Sequence, residues 1–285
     1  MLRLNQVLYY LRESPMLGAG TLLILLMILF GTLGPLFVDT DMSRPLSTTP
    51  RMAPSLDHPF GTDDAGRDLL AVMIVGVPLT MRVGLLAGSV GLGLGIFLGF
   101  TSGYLGGRFD TVVRGVVDTL LTVPGLVVLI SIASTIREEI SVNIMAMVVA
   151  SLAWMWPTRV IRAQVLTMRE RAYVQMAKLN GMSDSEIIWK ELFPNLLPYL
   201  AALFANAVNW AILASIGLEA LGLGPQNEPT VGMTIYWAIT FSALIRGMWW
   251  WWAIPIVFIG LVFVGLLMIS AGLDELANPK QRKAV

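Results

Sequence analysis

Apolar residues in this chain are gathered into long runs that polar segments separate. Six of these runs come close to, or exceed, the roughly 20 residues with which a helix crosses the ~30 Å hydrocarbon core of a bilayer. The runs occupy residues 18–38, 83–104, 112–135, 142–156, 196–216 and 250–271. The pattern predicts an all-α integral membrane protein with six transmembrane helices in one domain spanning residues 1–285.

Composition supports a membrane environment. Hydrophobic residues make up 56% of the chain and charged residues only 13%, whereas an ordinary globular domain carries about 25% charged residues. The formal net charge is zero and the basic residues form no stripe, which argues against a nucleic-acid partner. The sequence has no cysteine and a single histidine, His58. A thiolate nucleophile and a multi-histidine metal site are therefore excluded.

Orientation follows from the distribution of lysine and arginine, because cytoplasmic loops carry the excess. With the N-terminus inside, the inner loops and tails receive most of the 19 basic residues. We therefore expect a multi-pass protein of the inner (cytoplasmic) membrane with both termini in the cytoplasm. The first apolar run has the length of a span and no small-residue cleavage site after it, so it is predicted to be a retained helix.

The polar segment at residues 39–82 is too long to be a simple turn, and this orientation makes it an extracytoplasmic loop. It opens with prolines that interrupt regular structure and then reads GTDDAGRD toward the second span. We expect that sequence to form a helix with Thr62 or Asp63 as its N-cap, because small polar side chains accept hydrogen bonds from free N–H groups at helix starts.

The polar segment at residues 157–195 is placed on the cytoplasmic side and contains two helical patterns. The dipeptide Asn180-Gly181 separates them, and glycine is common directly after a helix. Ser183, followed by Glu186 three residues later, fits a capping box that starts a second helix. The sequence therefore predicts a helix–turn–helix on the cytoplasmic face.

Few polar residues fall inside the predicted spans. Arg114 and Asp118 are four residues apart on one helix face, which favours a structural ion pair over a proton relay. Asn206 and Asn209 lie in the fifth span, where interhelical hydrogen bonding and a place along a substrate path remain equally open.

Two further patterns indicate packing and anchoring rather than ligand binding. Glycines recur at three- and four-residue steps along the second span, an arrangement that lets helices approach closely in lipid; they are Gly84, Gly88, Gly91, Gly95 and Gly99. Four consecutive tryptophans begin at Trp249, at the predicted outer interface. We expect them to anchor the last helix at headgroup depth, with stacking on sugar rings as the alternative.

The inner loop carries the most informative motif of the chain. Its residues and spacing resemble the EAA loop of binding-protein-dependent ABC importer permeases, in which Glu-Ala-Ala, three residues, Gly and nine further residues precede Ile-x-Leu-Pro. The spacing is kept, and three positions match: Ala177, Gly181 and Pro194. Four positions depart from the pattern: Gln175, Met176, Glu191 and Phe193.

Other stretches are similar to one branch of that family, the dipeptide/oligopeptide/nickel type permeases of the C kind. The junction at residues 103–110 and the tail at residues 272–280 both resemble this branch. The loop before the second span also carries its signature, at Gly61, Thr62, Asp63, Gly66, Arg67 and Asp68.

The resemblance implies a type I ABC importer permease fold with a cytoplasmic pair of coupling helices. The implied coupling residues are Gln175, Met176, Ala177, Gly181, Glu191 and Pro194. The implied partners are a second related permease, an extracytoplasmic substrate-binding protein, membrane lipid, and two ATPase subunits that hold ATP and Mg. This chain itself would bind no cofactor and would not be an enzyme.

The sequence leaves open which cargo the protein carries and whether an ATPase drives the transport. No lysine is followed by serine or threonine, so the phosphate-binding loop of an ATPase is absent and the energy must come from elsewhere. Peptide is the expected cargo and oligosaccharide the alternative; nickel is disfavoured because no span carries a His/Met/Cys cluster. A secondary transporter or channel is the alternative from another class, and it would normally place ionisable groups within its spans.

Overall fold

The computed structural model describes residues 14–277, and its regular elements are helices. Short 3₁₀ turns at Gly34–Leu36 and Thr40–Ser43 follow the first helix. The helices are α1 (Pro15–Leu33), α2 (Leu69–Leu105), α3 (Gly107–Thr122), α4 (Gly125–Thr135), α5 (Val142–Ala153), α6 (Met155–Met168), α7 (Ala172–Leu179), α8 (Asp184–Glu186), α9 (Phe193–Glu219), α10 (Val231–Thr240) and α11 (Trp249–Ala277).

Five helical stretches of the described range are long and apolar enough to cross a membrane. Two of them are composite: α5 and α6 form the stretch Val142–Met168, and α8 and α9 form Asp184–Glu219. The helices α3 and α4 are long and apolar enough only when taken together, with a bend of 89° between them, and the pair counts as a sixth span if it crosses as one. The prediction of an all-α membrane protein is confirmed, and the count of six spans holds when α3 and α4 are taken together.

The third and second spans differ from their predicted outlines. Residues 112–135 were expected to form one helix, but Val123 is extended and Pro124 begins a new direction. Proline disfavours the helical conformation of the residue before it, which accounts for the break. The second span is longer than predicted, because α2 already begins at Leu69, inside the segment predicted to be loop.

The helix α2 lies at the centre of the bundle, and its glycines face neighbouring backbone. A Cβ atom on Gly88 would lie 2.9 Å from Val208 Cγ2 of α9. A Cβ atom on Gly91 would lie 2.5 Å from the Cβ atom of Ala153 of α5. Contacts this close leave no room for a side chain, so the predicted packing role of the glycines is confirmed.

The outer loop before α2 is built on hydrogen bonds of its own. Thr62 is fully buried; its Oγ1 donates to Thr49 O at 2.7 Å and accepts from Met52 N at 2.8 Å. The oxygen Oδ1 of Asp63 accepts the N–H groups of Ala65 and Arg67 at 2.9 and 2.8 Å, which folds this stretch into a turn. The signature residues therefore organise the loop itself.

The N-cap prediction for this segment is wrong. Asp68, not Thr62 or Asp63, caps α2, with its Oδ1 accepting from Ala71 N at 3.0 Å. The reason is that the side chain of Asp63 is committed to the turn, and Gly66 at φ +73 breaks helical geometry. The other oxygen of Asp68, Oδ2, lies 2.7 Å from Nδ1 of His58.

Arg67 joins this loop to α10. Its guanidinium lies 3.6 Å from the centroid of the Trp237 ring, and its Nε lies 3.8 Å from Asp63 Oδ2. Burial raises the pKa of the Asp63 carboxyl, while the backbone N–H group and the charge of Arg67 act to lower it. Burial also lowers the pKa of Arg67, while the charge of Asp63 acts to raise it. The pair is thus held by packing and a cation–π contact rather than by solvated charges.

The four tryptophans do not act as one anchor. Trp249 is 56% exposed, but Trp250 and Trp251 are buried in the protein at 8% and 0% exposure. The indole Nε1 of Trp250 donates to Thr62 O at 3.1 Å and so fastens α11 to the outer loop. The anchoring prediction is wrong for these two residues, because successive residues point in different directions around a helix and two of them face the core.

Adding one methyl group to the buried face of α2 should destabilise the bundle. We expect Gly91→Ala to lower the free energy of unfolding by about 1–3 kcal/mol through overpacking. The matched control is Gly93→Ala, since the described residues leave open space around Gly93. Thermal unfolding in detergent measures both variants, and equal melting temperatures would contradict the packing role of this face.

Removing the hydroxyl of Thr62 should loosen the outer loop. Thr62→Val keeps the shape but leaves Met52 N and Thr49 O without their partner, at a cost of about 1–3 kcal/mol. The control is Thr49→Val, because the side chain of Thr49 is exposed. Limited proteolysis of the folded protein should cleave the first variant faster within residues 39–68, and identical cleavage rates would refute the assignment.

Candidate functional site: the inner hairpin and the cavity above it

The hairpin of α7 and α8 is set by its own sequence. Asn180 is the C-cap of α7, and Gly181 follows at φ +80, a conformation that glycine adopts without strain. Ser183 then begins α8 with the predicted capping box: its Oγ accepts from Glu186 N at 3.4 Å, and its N–H donates to Glu186 Oε2 at 3.1 Å. These local signals reverse the chain within a few residues.

One face of α7 is packed against the membrane part of the protein. Val174 and Ala177 are buried at 0% and 6% exposure, in a cluster that contains Ile187 and Leu192. Ala177, one of the coupling residues that the resemblance implies, therefore faces inward. Its small side chain sets how closely α7 approaches the chain that follows α8.

The opposite face of α7 is open and apolar. Met176 is 59% exposed and Leu179 is 82% exposed, and Tyr173 lies beside them at 37%. Gln175 is also exposed, and its Nε2 donates to Arg169 O at 3.2 Å. An exposed apolar patch with a polar rim is typical of a protein-binding surface. We call Tyr173, Met176 and Leu179 the outer face of α7.

The remaining motif residues lie where the hairpin joins α9. Glu191 belongs to the π-helical turn Ile187–Leu192, and Pro194 lies in the first turn of α9. Proline is tolerated there because the first N–H groups of a helix lack partners within it. The structure therefore groups Gln175, Met176, Ala177 and Gly181 in the hairpin, and places Glu191 and Pro194 in its connection to the span.

Polar contacts fix the other end of the hairpin to the bundle. The guanidinium of Arg162 in α6 makes a bidentate ion pair with Asp110 in α3, with Nη2 to Oδ2 at 2.6 Å. Arg169, just after α6, donates from Nη1 to Gly103 O of α2 at 3.2 Å. The hairpin is thus joined to the bundle through α6 on one side and through α9 on the other.

A cavity of about 490 Å³ lies where α3 and α4 bend, beside α6 and α9. Asn206 lines it, and its Nδ2 donates to Ser270 Oγ of α11 at 2.7 Å. Asn209 is instead buried at 5% exposure, and its Oδ1 has no hydrogen-bond partner among residues 14–277. The two asparagines therefore differ: Asn206 faces the cavity, whereas Asn209 lies inside the helix packing.

The cavity is otherwise apolar and aromatic. Trp156 and Trp210, which sequence reasoning did not single out, line it and are 57% and 42% exposed. Its volume falls within the ~300–1,000 Å³ of ordinary ligand sites. No hydropathy signal marks such a lining, because an aromatic side chain that faces a path looks the same in sequence as one that faces lipid.

Arg114 and Asp118 form the predicted pair, at 3.8 Å between Nε and Oδ2. Arg159 of α6 joins them, with its Nε 4.0 Å from Asp118 Oδ1. Sequence reasoning missed Arg159 because it assigned residue 159 to the inner loop, whereas the span continues through α6 to Met168. We call Arg114, Asp118 and Arg159 the open cluster.

A buried carboxylate at the other end of α9 also escaped the sequence patterns. Glu219 has 0% exposure, and its Oε2 accepts from Thr230 Oγ1 at 2.5 Å. The loop between them folds back closely, since a Cβ atom on Gly232 would lie 2.3 Å from Glu219 Oε2. An acidic residue that ends an apolar run was the available signal. The contact fixes the start of α10 against the end of α9.

The signature residues of the outer loop lie at the opposite end of α2 from the hairpin. That loop leads into Leu69, the first residue of α2, whereas Arg169 contacts Gly103 near the last. They therefore build a separate structural unit and take no part in the hairpin or the cavity. Within residues 14–277, no group of three or more His, Cys, Asp or Glu side chains is arranged to hold a metal ion.

Comparison with known proteins agrees with this architecture. A family model described as "Binding-protein-dependent transport system inner membrane component" matches residues 91–283. The dipeptide transport system permease protein DppC of Bacillus subtilis is 29% identical over 273 residues, which cover 96% of this chain and 84% of that protein. The oligopeptide transport system permease protein OppC of the same organism is 28% identical, over 95% of this chain and 88% of its own.

A third relative is the probable D,D-dipeptide transport system permease protein DdpC of Escherichia coli. It is 30% identical over 278 residues, which cover 96% of this chain and 91% of that protein. These matches confirm the resemblance that the EAA-like loop and the branch motifs indicated. The chain therefore belongs to the binding-protein-dependent transport system inner membrane components, the membrane subunits of ABC importers.

Proposed function

We propose that this chain forms half of the translocation path of an ATP-driven importer for peptides, which an extracytoplasmic binding protein delivers. It pairs with a second, related permease, and two ATPase subunits dock on the α7–α8 hairpin. Those subunits hold ATP and Mg and hydrolyse the nucleotide, while this chain provides the path. Both termini of the chain lie in the cytoplasm, and the outer loop lies on the opposite side of the inner membrane.

The observation that carries this proposal is the two-sided character of α7. Its inner side is buried through Val174 and Ala177, and its outer face presents Met176 and Leu179. A short helix of this kind fits a groove on a soluble partner, as amphipathic helices do in other complexes. A helix lying passively on lipid would turn its apolar face toward the membrane. In α7 the face toward the bundle is already buried, and the exposed apolar residues lie on the opposite face.

Docking on this face has a structural consequence for the path. The hairpin continues into α9 and is preceded by α6, and both helices contribute side chains to the 490 Å³ cavity. A rigid displacement of the hairpin therefore moves two walls of that cavity. This supports coupling between nucleotide-driven closure of the ATPases and opening of the path.

Peptide is favoured over oligosaccharide as the cargo. The named relatives are dipeptide and oligopeptide permeases. The strongest feature that suggested sugar stacking, the tryptophan run, is largely absorbed into the core, since Trp250 and Trp251 are buried. A carrier without an ATPase is disfavoured because it leaves the outer face of α7 without a role.

The complete assembly tests this proposal. The chain is purified with its partner permease, ATPases and binding protein, placed in lipid, and assayed for ATP hydrolysis with a peptide pool or an oligosaccharide pool. We expect the peptide pool alone to stimulate hydrolysis. Stimulation by the oligosaccharide pool alone would overturn the cargo assignment, and ATPases that never associate with the chain would overturn the importer assignment.

A charge on the outer face of α7 should uncouple the transporter. We expect Leu179→Glu to abolish substrate-stimulated ATP hydrolysis without affecting folding, because the side chain is 82% exposed and supports no core. Replacing an apolar anchor at a protein interface typically costs about 2 kcal/mol or more of binding. The measurements are co-purification of the ATPases and the melting temperature of the permease.

The matched control for that variant is Gln175→Glu. It introduces the same charge on the same helix, at an exposed position where the family pattern itself has glutamate. We expect this variant to keep wild-type coupling. If both variants retain stimulated hydrolysis, the outer face of α7 is not the docking surface.

A further inference from the structure

The open cluster and the cavity adjoin one another along the same two helices. Trp156 and Pro157 of α6 line the cavity, and the next two residues, Thr158 and Arg159, line a second cavity of about 260 Å³ at the cluster. The same succession occurs on α3, where Asp118 lines the second cavity and Leu120 lines the first. The two spaces therefore lie next to each other along α3 and α6, the first lined by aromatic residues and the second by charged ones.

The exposed charges of the cluster argue that this surface does not face lipid. Arg159 belongs to the apolar span Val142–Met168, and Asp118 belongs to the broken span of α3 and α4. Yet the side chains of Arg114, Arg159 and Asp118 are 64%, 57% and 48% exposed. Charged groups within a span face a water-filled cavity or a partner, because hydrocarbon excludes them.

A neighbouring ion pair shows what a purely structural contact looks like on these helices. Asp110 of α3 and Arg162 of α6 are each only 17% exposed and meet in a closed bidentate pair. In the open cluster, one carboxylate is shared by two guanidinium groups at 3.8 and 4.0 Å, which is longer than a hydrogen bond. Among residues 14–277, the cluster therefore keeps N–H donors without a partner and one formal positive charge in excess.

On this basis, and resting on the proposed peptide-import function, we propose that Arg114 and Arg159 receive the carboxylate end of the transported peptide. Guanidinium groups bind carboxylates through paired N–H donors, and the excess positive charge of the cluster matches one carboxylate. Asp118 pairs with both arginines while the site is empty. The aromatic rings of Trp156 and Trp210 and the amide of Asn206 lie along the adjoining cavity, where they contact the preceding residues of the peptide.

The absence of cysteine from the chain allows a direct test. Ala163 is exposed and lines the cluster cavity, so A163C places a single reactive thiol beside the arginines. The complex of both permeases and the ATPases is placed in lipid nanodiscs without the binding protein, whose own specificity is thereby removed. The labelling rate of the thiol of A163C by a neutral maleimide is measured with trialanine or with trialanine amide, which lacks the carboxylate.

We expect the free acid to slow labelling by about 10-fold and the amide to slow it less than about 2-fold, because only the carboxylate forms charge-assisted hydrogen bonds. Adding R114Q and R159Q to A163C should remove the protection. The control is L56C, at a fully exposed position of the outer loop, whose labelling should not respond to either peptide.

Three results would overturn the inference. Equal protection by acid and amide would show that the arginines do not read the carboxylate, and protection that survives R114Q and R159Q would place the ligand elsewhere. A thiol of A163C that never reacts would show that the second permease covers the cluster. Failure of the proposed peptide function appears separately, as the absence of peptide-stimulated ATP hydrolysis in the complete assembly.

Discussion

Close approach of backbones along the glycine face of α2 is the contact on which the remaining structure depends. Gly88 meets Val208 of α9 and Gly91 meets Ala153 of α5, in both cases at distances that exclude a side chain. Lipid offers no hydrophobic drive for helix association, so this fit must come from packing itself. Because α9 and the composite span of α5 and α6 both rest on α2, the two helices that flank the inner hairpin share one rigid support.

The two ends of the bundle that α2 supports differ in how far they are closed by contacts of their own. At one end, the outer loop is closed by Thr62, Asp63 and Arg67 and tied to α11 by the indole of Trp250. At the other end, the hairpin presents an apolar face that the described residues leave uncovered. A bundle fixed at the end with the outer loop and open to a partner at the hairpin is suited to convert docking into movement of α6 and α9, which both line the 490 Å³ cavity.

The sequence predicted those features that are local or that repeat. Helical spans follow from apolar runs, the hairpin reversal follows from Asn180-Gly181 and the capping box, and the glycine face follows from its spacing. The features that the sequence did not predict depend on side chains far apart in the chain. Trp250 faces inward and contacts the outer loop, and Arg159 pairs with Asp118 of another helix. The bend at Pro124 was also missed, because hydropathy averages over a proline that interrupts a helix.

The central claim is that the outer face of α7 is the contact through which a cytoplasmic ATPase acts on this bundle. It is tested most directly by cross-linking in the assembled complex, since the chain has no cysteine of its own. With L179C and a short reagent that joins a thiol to a lysine amine, the account predicts a cross-link to the ATPase that changes in yield when ATP is bound, and none with L56C on the outer loop. A cross-link from the outer loop, or none from α7, would contradict it.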